Sequence, residues 1–221
     1  GALLEAKKQG MIKHIGVTSH LRPARVLPAL ETGEVELVMC SINHVERHIY
    51  GYAEKVLPEC RKRNIGVIAM KVVVAVSGLN LADFSGKPKS AGEGPLAGIK
   101  WVLTNPGIGT TVPHMKTIGE LEMNFRAMSE PYTAADEQLL YTLNEQIRPN
   151  YCRMCYQCEG KCPKGIPATD VLRFLAYHDF CGNYHQAAMN FKLLAKEIRD
   201  VRCADCSSCA IQCPTGVHVQ E

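Results

Sequence analysis

The sequence predicts a parallel α/β domain over residues 1–131, a linking helix over 132–150 and an all-helical domain built around metal over 151–221. Three observations carry this. Apolar strands and helix-period segments alternate four times in the first part, with connections long enough for parallel pairing. The strands read as continuous apolar runs, the pattern of strands buried on both faces. In the last part, two cysteine runs of one spacing are separated by two helical patterns.

Taken in order, Gly1 to Gln9 reads as the end of a helix closed by Gly10. A strand over Met11 to Val17 leads to polar Thr18, Ser19 and His20, and a helix follows through Val26, Leu27 and Leu30. The next strand, Val35 to Ile42, ends on Asn43 and His44. A helix from Tyr52 to Lys62 is broken by Asn64 and Gly66, and Gly66 to Met70 is a short strand ending at Lys71. Residues 77–93 read as a long surface loop rich in Gly, Ser, Lys and Pro. A helix from Pro95 to Leu103 stops at Asn105-Pro106-Gly107, Gly109 to Val112 is the fourth strand, and Thr117 to Met128 is a helix opened by a Thr117/Glu120 capping box. A doubly wound sheet and a barrel both fit this alternation, and no Gly-x-Gly-x-x-Gly loop follows a strand. Thr18-Ser19, Asn43-His44, Met70-Lys71 and His114-Met115-Lys116 are the strand ends, expected to converge at one rim of the kind where barrel enzymes keep their chemistry.

The cysteine runs are Cys152-Arg-Met-Cys155-Tyr-Gln-Cys158-Glu-Gly-Lys-Cys162-Pro163 and Cys203-Ala-Asp-Cys206-Ser-Ser-Cys209-Ala-Ile-Gln-Cys213-Pro214. Each is C-x2-C-x2-C-x3-C-P, a spacing in which three thiolates wrap one iron–sulfur cube and the fourth ligates the other cube. Proline after the fourth stops the turn from continuing as helix. The assignment is one [4Fe–4S] cluster on Cys152, Cys155, Cys158 and Cys213, and a second on Cys162, Cys203, Cys206 and Cys209. Zinc, held by one quartet of ligands, usually as two separated pairs, fits two complete runs poorly. Disulfides suit small secreted chains better than clustered thiols in a chain of this length. Cys40, Cys60 and Cys181 are left over and read as buried thiols. Between the runs, Val171, Phe174, Leu175 and His178 share one helical face, and Ala187, Phe191, Leu194 and Ile198 another. This spacing resembles the alpha-helical ferredoxin domains of fumarate and succinate oxidoreductase iron–sulfur subunits, which implies one-electron relay between helices that keep the clusters dry.

The chain has 221 residues, a formal charge of +3 and a pI near 8.3. A charge so near balance, with Lys and Arg scattered, argues against nucleic acid. No apolar run is long enough to span a bilayer. Clustered thiols point to a reducing, cytoplasmic setting, although a signal upstream of Gly1 would be invisible here. His44 and His48 lack the H-E-x-x-H order and are not expected to bind zinc. His14, His178, His185 and His218 carry no partner pattern and read as structural or exposed.

Gly16-Val-Thr-Ser-His20, Asn43-His-Val-Glu-Arg-His-Ile-Tyr50, Ile65 to Lys71, and Val112-Pro-His-Met-Lys-Thr117 through Glu122-Met-Asn124-Phe occur in that order. The ordered set resembles the aldo/keto reductases over Gly1 to Met128 and, with the appended cysteine runs, is similar to the ferredoxin-containing branch of that superfamily. The resemblance implies that the first domain is the C-terminal half, the last four βα units, of a (β/α)8 TIM barrel with a nicotinamide cofactor across its mouth. It implies Thr18, Ser19 and His44 at the carboxamide, with Ser19 standing for Asn and His44 for Gln. Met70 takes the place of the stacking aromatic, packing through its thioether. Lys71 either reaches a substrate oxygen or cofactor phosphate or snorkels to the rim. The adenosine end falls to His114, Met115, Lys116, Thr117 and Asn124 at a helix start that favours an anion. Where the family commonly has an arginine for the 2′-phosphate this chain has Glu120, which favours NAD over NADP unless it only completes the capping box.

The catalytic tyrosine, lysine, aspartate and histidine of that family come from the first half of its barrel, so they are expected upstream of Gly1. A four-strand half barrel leaves two open edges, and the chain is expected to be part of a longer protein. The expected function is an NAD(P)-linked oxidoreductase acting on a small carbonyl or alcohol, with clusters relaying single electrons to a redox partner protein. No flavin motif mediates between hydride and clusters, so a stapling role for the clusters stays open. The alternative is a non-catalytic electron-transfer or assembly subunit whose barrel portion is a docking scaffold.

Overall fold

A computed structural model describes residues 1–20, 23–45, 51–73, 93–179 and 183–220. These divide into two compact units, one of residues 1–73 with 93–140 and one of residues 141–220. The surface loop expected over 77–93 lies outside the described residues except for Glu93, as do Cys181, His48 and the end of the Asn43–Tyr50 motif.

The first unit opens with α1 (Ala2–Lys8), which ends where Gly10 takes a left-handed φ of 73°. Four strands follow, β1 (Gly16–Ser19), β2 (Leu37–Ser41), β3 (Gly66–Met70) and β4 (Ile108–Val112), all parallel and hydrogen-bonded in the order β1-β2-β3-β4. Between them run α2 (Pro23–Glu31), a π-helical turn (Tyr52–Val56) continuing into α3 (Leu57–Lys62), and α4 (Glu93–Leu103). The last elements are α5 (Ile118–Arg126) and α6 (Ala134–Ile147), within which the boundary between the units falls. The strand order bears on what alternation alone left open. Right-handed crossovers that step the same way each time place every helix on one face, whereas a doubly wound sheet reverses direction at a switch point. The sequential order is that of a barrel wall.

Two expectations need correction. The first strand starts at Gly16, not Met11. Pairing begins at Gly16↔Leu37, and Met11, at 74% exposure, and Lys13 and His14 stand in solvent. His14 and Lys7 instead hold the Glu36 carboxylate. The strands are also not buried on both faces among the described residues. Val38 and Cys40 of β2 and Val67 and Ala69 of β3 are buried with Val26, Leu30, Val56, Cys60, Ala97, Ile99 and Val102 of the helices. Leu37 and Val112 are exposed, and Met39 and Ile68 are half-exposed, because α2, α3 and α4 lie against a single face. β1 and β4 each have one neighbouring strand.

α4 approaches the end of β3 closely, since a Cβ on Gly98 would meet the Val72 carbonyl at 3.3 Å. In the middle of its apolar sequence sits Lys100, 6% exposed, whose ammonium lies 2.9 Å from Asp136 Oδ2 and 3.8 Å from a Glu130 carboxylate oxygen. The ion pair ties α4 to the first turn of α6. Burial raises the Asp136 pKa, but Lys100 and the Thr133 hydroxyl and amide outweigh it and leave the carboxyl below its usual value of 3.8.

The second unit contains the end of α6, then α7 (Ala168–Asp179), α8 (Tyr184–Lys192), α9 (Lys196–Arg199) and a 3-10 turn at Cys203–Asp205. Its helices differ from expectation in what they bury. Ala168, Thr169, Ala176 and Ala187 are buried, whereas Leu175, His178 and Phe191 are exposed. α7 and α8 pack on each other, and small residues at such a contact let the backbones come close.

Replacing Lys100 by Met should destabilise the first unit by about 2 kcal/mol, because a largely buried carboxylate loses its cation. Chemical denaturation checks this. The Asp136 pKa is depressed on folding, so its contribution is present above 3.8 and lost as pH falls through the lower folded value, and the deficit should shrink there.

Candidate metal centres and strand-end rim

In the second unit both cysteine runs are loops outside regular helix, so their thiols are placed by backbone turns and hydrogen bonds. Met154 and Tyr156 adopt left-handed φ of 54° and 60°, a conformation costing non-glycine residues about 1–3 kcal/mol. The Met154 N–H thereby donates to Cys152 Sγ at 3.3 Å. Arg153, 3% exposed, fastens the loop: Nη1 donates to the Tyr151 carbonyl at 2.7 Å and Nη2 to Asn144 Oδ1 at 2.8 Å. The second run is drawn to the first by the His218 N–H, which donates to the Pro149 carbonyl at 2.8 Å.

The Cys152 thiol is pushed up to about 11, by burial first and then by the neighbouring sulfurs of Cys158, Cys155 and Cys213, against the Met154 amide. Three sulfurs of the first predicted quartet therefore lie within electrostatic reach of the fourth, Cys152, with Cys213 reaching it from the second run. Cys203 is raised by burial and then by Cys162, Cys206 and Cys209, with Lys164 opposing. That is the second quartet, with Cys162 crossing the other way. A cavity of about 80 Å³ is lined by all four of these cysteines with Ile166 and Leu172. Gln220 Nε2 donates to the carbonyls of Cys206 and Cys203 at 2.9 and 3.3 Å and pins the loop. Cys152 is buried and Cys203 exposed, while the other three cysteines of each quartet are half-buried.

Cys213 differs from its partners. Burial would raise its pKa, but the Thr215 hydroxyl and the N–H groups of Val217, Thr215 and Gly216 together lower it. Successive amides aimed at one sulfur form a nest for negative charge. Gly216 makes the turn possible with a φ of 84°, and a Cβ there would sit 2.7 Å from Arg148 Nε. Two hydroxyls stand near sulfur in this quartet, Thr169 Oγ1 at 3.1 Å from Cys158 Sγ and Thr215 Oγ1 at 3.2 Å from Cys213 Sγ. Sequence reading missed both threonines. Thr215 had a signal, since Cys-Pro-Thr-Gly in the second run replaces Cys-Pro-Lys-Gly in the first. Lys100 had one too, as a lone cation in an apolar helix.

Thiolates gathered this closely need a cation to remain ionised. Among the described residues, no three His, Cys, Asp or Glu side chains are arranged to hold a single metal ion. A zinc site sets its ligand sulfurs about 2.3 Å from one point. The void at the second quartet far exceeds the roughly 10–15 Å³ that a single water needs. The four-thiol donor sets, with amides aimed at sulfur in the first quartet and an open void beside the second, are of the kind that could hold a [4Fe–4S] cluster.

In the first unit, the register Ser41↔Met70↔Val112 with Ser19↔Cys40 brings the strand ends to one rim. The side chains predicted to hold nicotinamide have partners of their own. Ser19 Oγ accepts from the buried Tyr52 hydroxyl at 2.8 Å. His44 is buried edge-on to Trp101 at 5.5 Å, with Nε2 3.9 Å from Glu137 Oε1. Met70 is buried, Thr18 and Lys71 are exposed, and Lys71 has a left-handed φ of 59°. His114, Met115, Lys116 and Thr117 are exposed ahead of α5, and Asn124 is buried within it. Glu120 completes the capping box. Its carboxylate accepts from the Lys116 and Thr117 amides while its own N–H donates to Thr117 Oγ1 at 3.2 Å. Those amide bonds, the Lys116 one foremost, lower its pKa. Both amides donate to Oε2, and the capping box formed here is the alternative role that the sequence offered for Glu120.

No family model matches the chain, and no curated protein matches it. Among solved structures it is similar to the aldo-keto reductase AKR11C1 from Bacillus halodurans in its holo form, at 18% identity and a TM-score of 0.49 over 64% of this chain and 54% of that one. The apo form of the same protein gives 18%, 0.48, 64% and 54%. A thermostable aldo-keto reductase, Tm1743, in complex with the inhibitor epalrestat, gives 18%, 0.44, 64% and 52%. The chain spans about half the length of these proteins. Among the described residues, no helix is long and apolar enough to cross a membrane.

In the metal-free chain near pH 8, iodoacetamide should alkylate Cys213 well before Cys152, as read by peptide mass spectrometry; equal rates would contradict the contrast in their surroundings. Thr117→Ala should cost about 1 kcal/mol through loss of the α5 cap.

Proposed function

We propose that the second unit is a one-electron carrier holding two [4Fe–4S] clusters, one on Cys152, Cys155, Cys158 and Cys213 and the other on Cys162, Cys203, Cys206 and Cys209. The observation that carries this is proximity across the runs: Cys213 lies within electrostatic reach of Cys152, and Cys162 lines one cavity with Cys203, Cys206 and Cys209. Such a cluster, when bound, takes up or returns one electron at a time. The protein's own contribution is placement and charge. Met154, Thr215, Gly216 and Val217 direct N–H groups at sulfur. Cys152 and Arg153 are buried, which keeps water from one centre, whereas exposed Cys203 brings the other near the surface, where a redox partner protein can exchange electrons.

The first unit is, in this proposal, the second half of an aldo/keto reductase-type barrel, serving NAD(P)-linked hydride transfer to a small carbonyl substrate. Its support is the ordered set of motifs together with the sequential parallel sheet and the strand ends at one rim. A specific observation favours the second reading, a non-catalytic electron-transfer or assembly subunit. Ser19, His44 and Glu120 are each engaged within the protein, by Tyr52, Trp101 and the α5 cap. Titrating the chain with NADH and NADPH while following nicotinamide fluorescence separates the two, since a docking scaffold binds neither.

Anaerobic reconstitution should load iron and acid-labile sulfide in equal amounts, about four of each per quartet. Cys162→Ser should first damage the centre shared with Cys203, Cys206 and Cys209, leaving one EPR signal of the reduced protein intact. Loss of the other signal instead would overturn the ligand exchange.

A further inference from the structure

The hydroxyls of Thr169 and Thr215 come from different parts of the chain, one from the first turn of α7 and one from the loop after Cys213, yet they reach sulfurs of one quartet. Among the described residues, no hydroxyl hydrogen-bonds to Cys162, Cys203, Cys206 or Cys209. Thr169 is 4% exposed, so water does not compete for its hydroxyl. Between a thiol and a hydroxyl either group can donate. A metal-bound thiolate has no proton, so both threonines then become the donors.

A donated hydrogen bond stabilises sulfur in proportion to its negative charge. Uptake of one electron from an external reductant adds one negative charge beside these sulfurs, while each hydroxyl proton stays on its threonine. The reduced state gains more from both bonds than the oxidised state does, and hydrogen bonds to sulfur are among the determinants of cluster potential. We propose that Thr169 and Thr215 are tuning residues that together raise the reduction potential of the centre on Cys152, Cys155, Cys158 and Cys213, leaving the other centre untouched. This rests on the cluster assignment made above. The threonines ligate nothing, and their effect runs through Cys158 and Cys213.

The test is an EPR-monitored potentiometric titration of the full chain after anaerobic reconstitution, with iron and sulfide measured on every sample. Thr169→Val and Thr215→Val should each shift the same one of two couples to a more negative midpoint, and the double variant should shift it further. Thr169→Ser and Thr215→Ser, which keep a hydroxyl, should return the midpoint toward wild type. Where a valine variant fails to load, alanine removes the hydroxyl without crowding the sulfur and is read the same way. Unmoved couples, serine variants shifted as far as valine, or the two valine variants moving different couples would each overturn the proposal while the cluster assignment stands. A wild-type chain that takes up neither iron nor sulfide overturns both.

Discussion

The second unit brings its two cysteine runs together, Cys213 near Cys152 and Cys162 near Cys203. Its own apolar core is thin: Leu143, Ile147, Ile211 and Val217 are buried, but the helix contacts rest on alanines, while Tyr184, Leu193 and Met189 remain exposed. A small unit of this kind needs staples beyond hydrophobic burial. Four thiols crowded together are a liability by themselves, since ionising them stacks like charges. With metal bound, the same crowding becomes binding energy that is also folding energy. Because each quartet takes a sulfur from the distant run, such binding fastens both ends of the unit at once.

The first unit is governed by a different constraint. Parallel strands stepping in one direction gather their helices on one face, and the opposite face stays partly open at Leu37, Met39, Ile68 and Val112. The covered face can therefore be well packed without the unit being closed. Lys100 shows how tightly: a lysine at 6% exposure is tolerated in α4 only because Asp136 and Glu130 bring carboxylates to it.

The elements legible in the sequence were those marked by local chemistry. Gly66 to Met70 has the bounds expected, because Asn64 and Gly66 punctuate one end and Lys71 the other. The Thr117/Glu120 box is formed as the spacing implies. The cysteine runs were legible because their spacing is written in the sequence itself. What was not legible depended on tertiary partners. Met11 to Ile15 has the apolar character of a strand, but no neighbouring strand pairs with it. Leu175 and Phe191 fall on plausible core faces, yet Ala176 and Ala187 are what α7 and α8 bury. At the rim, sequence order supplied residue types without saying that Tyr52 takes Ser19 and Trp101 takes His44.

The two runs are close copies in their cysteines and differ between them, and the differences make the two centres inequivalent. After Cys-Pro, the first run has Lys164 and the second Thr215. Lys164 of the first run acts on Cys203 of the second, and Thr215 acts on Cys213, which lies near Cys152 of the first. Lys164 is exposed, so its charge is screened by water and salt. The Thr215 hydroxyl is fixed 3.2 Å from sulfur beside three backbone amides, and Thr169 adds a second, buried hydroxyl to that quartet. Fixed dipoles act on the quartet of buried Cys152, and a mobile charge acts through solvent on that of exposed Cys203. One repeat thus yields a quartet whose sulfurs meet fixed hydroxyls and amides and a quartet whose Cys203 stands exposed near a solvated lysine.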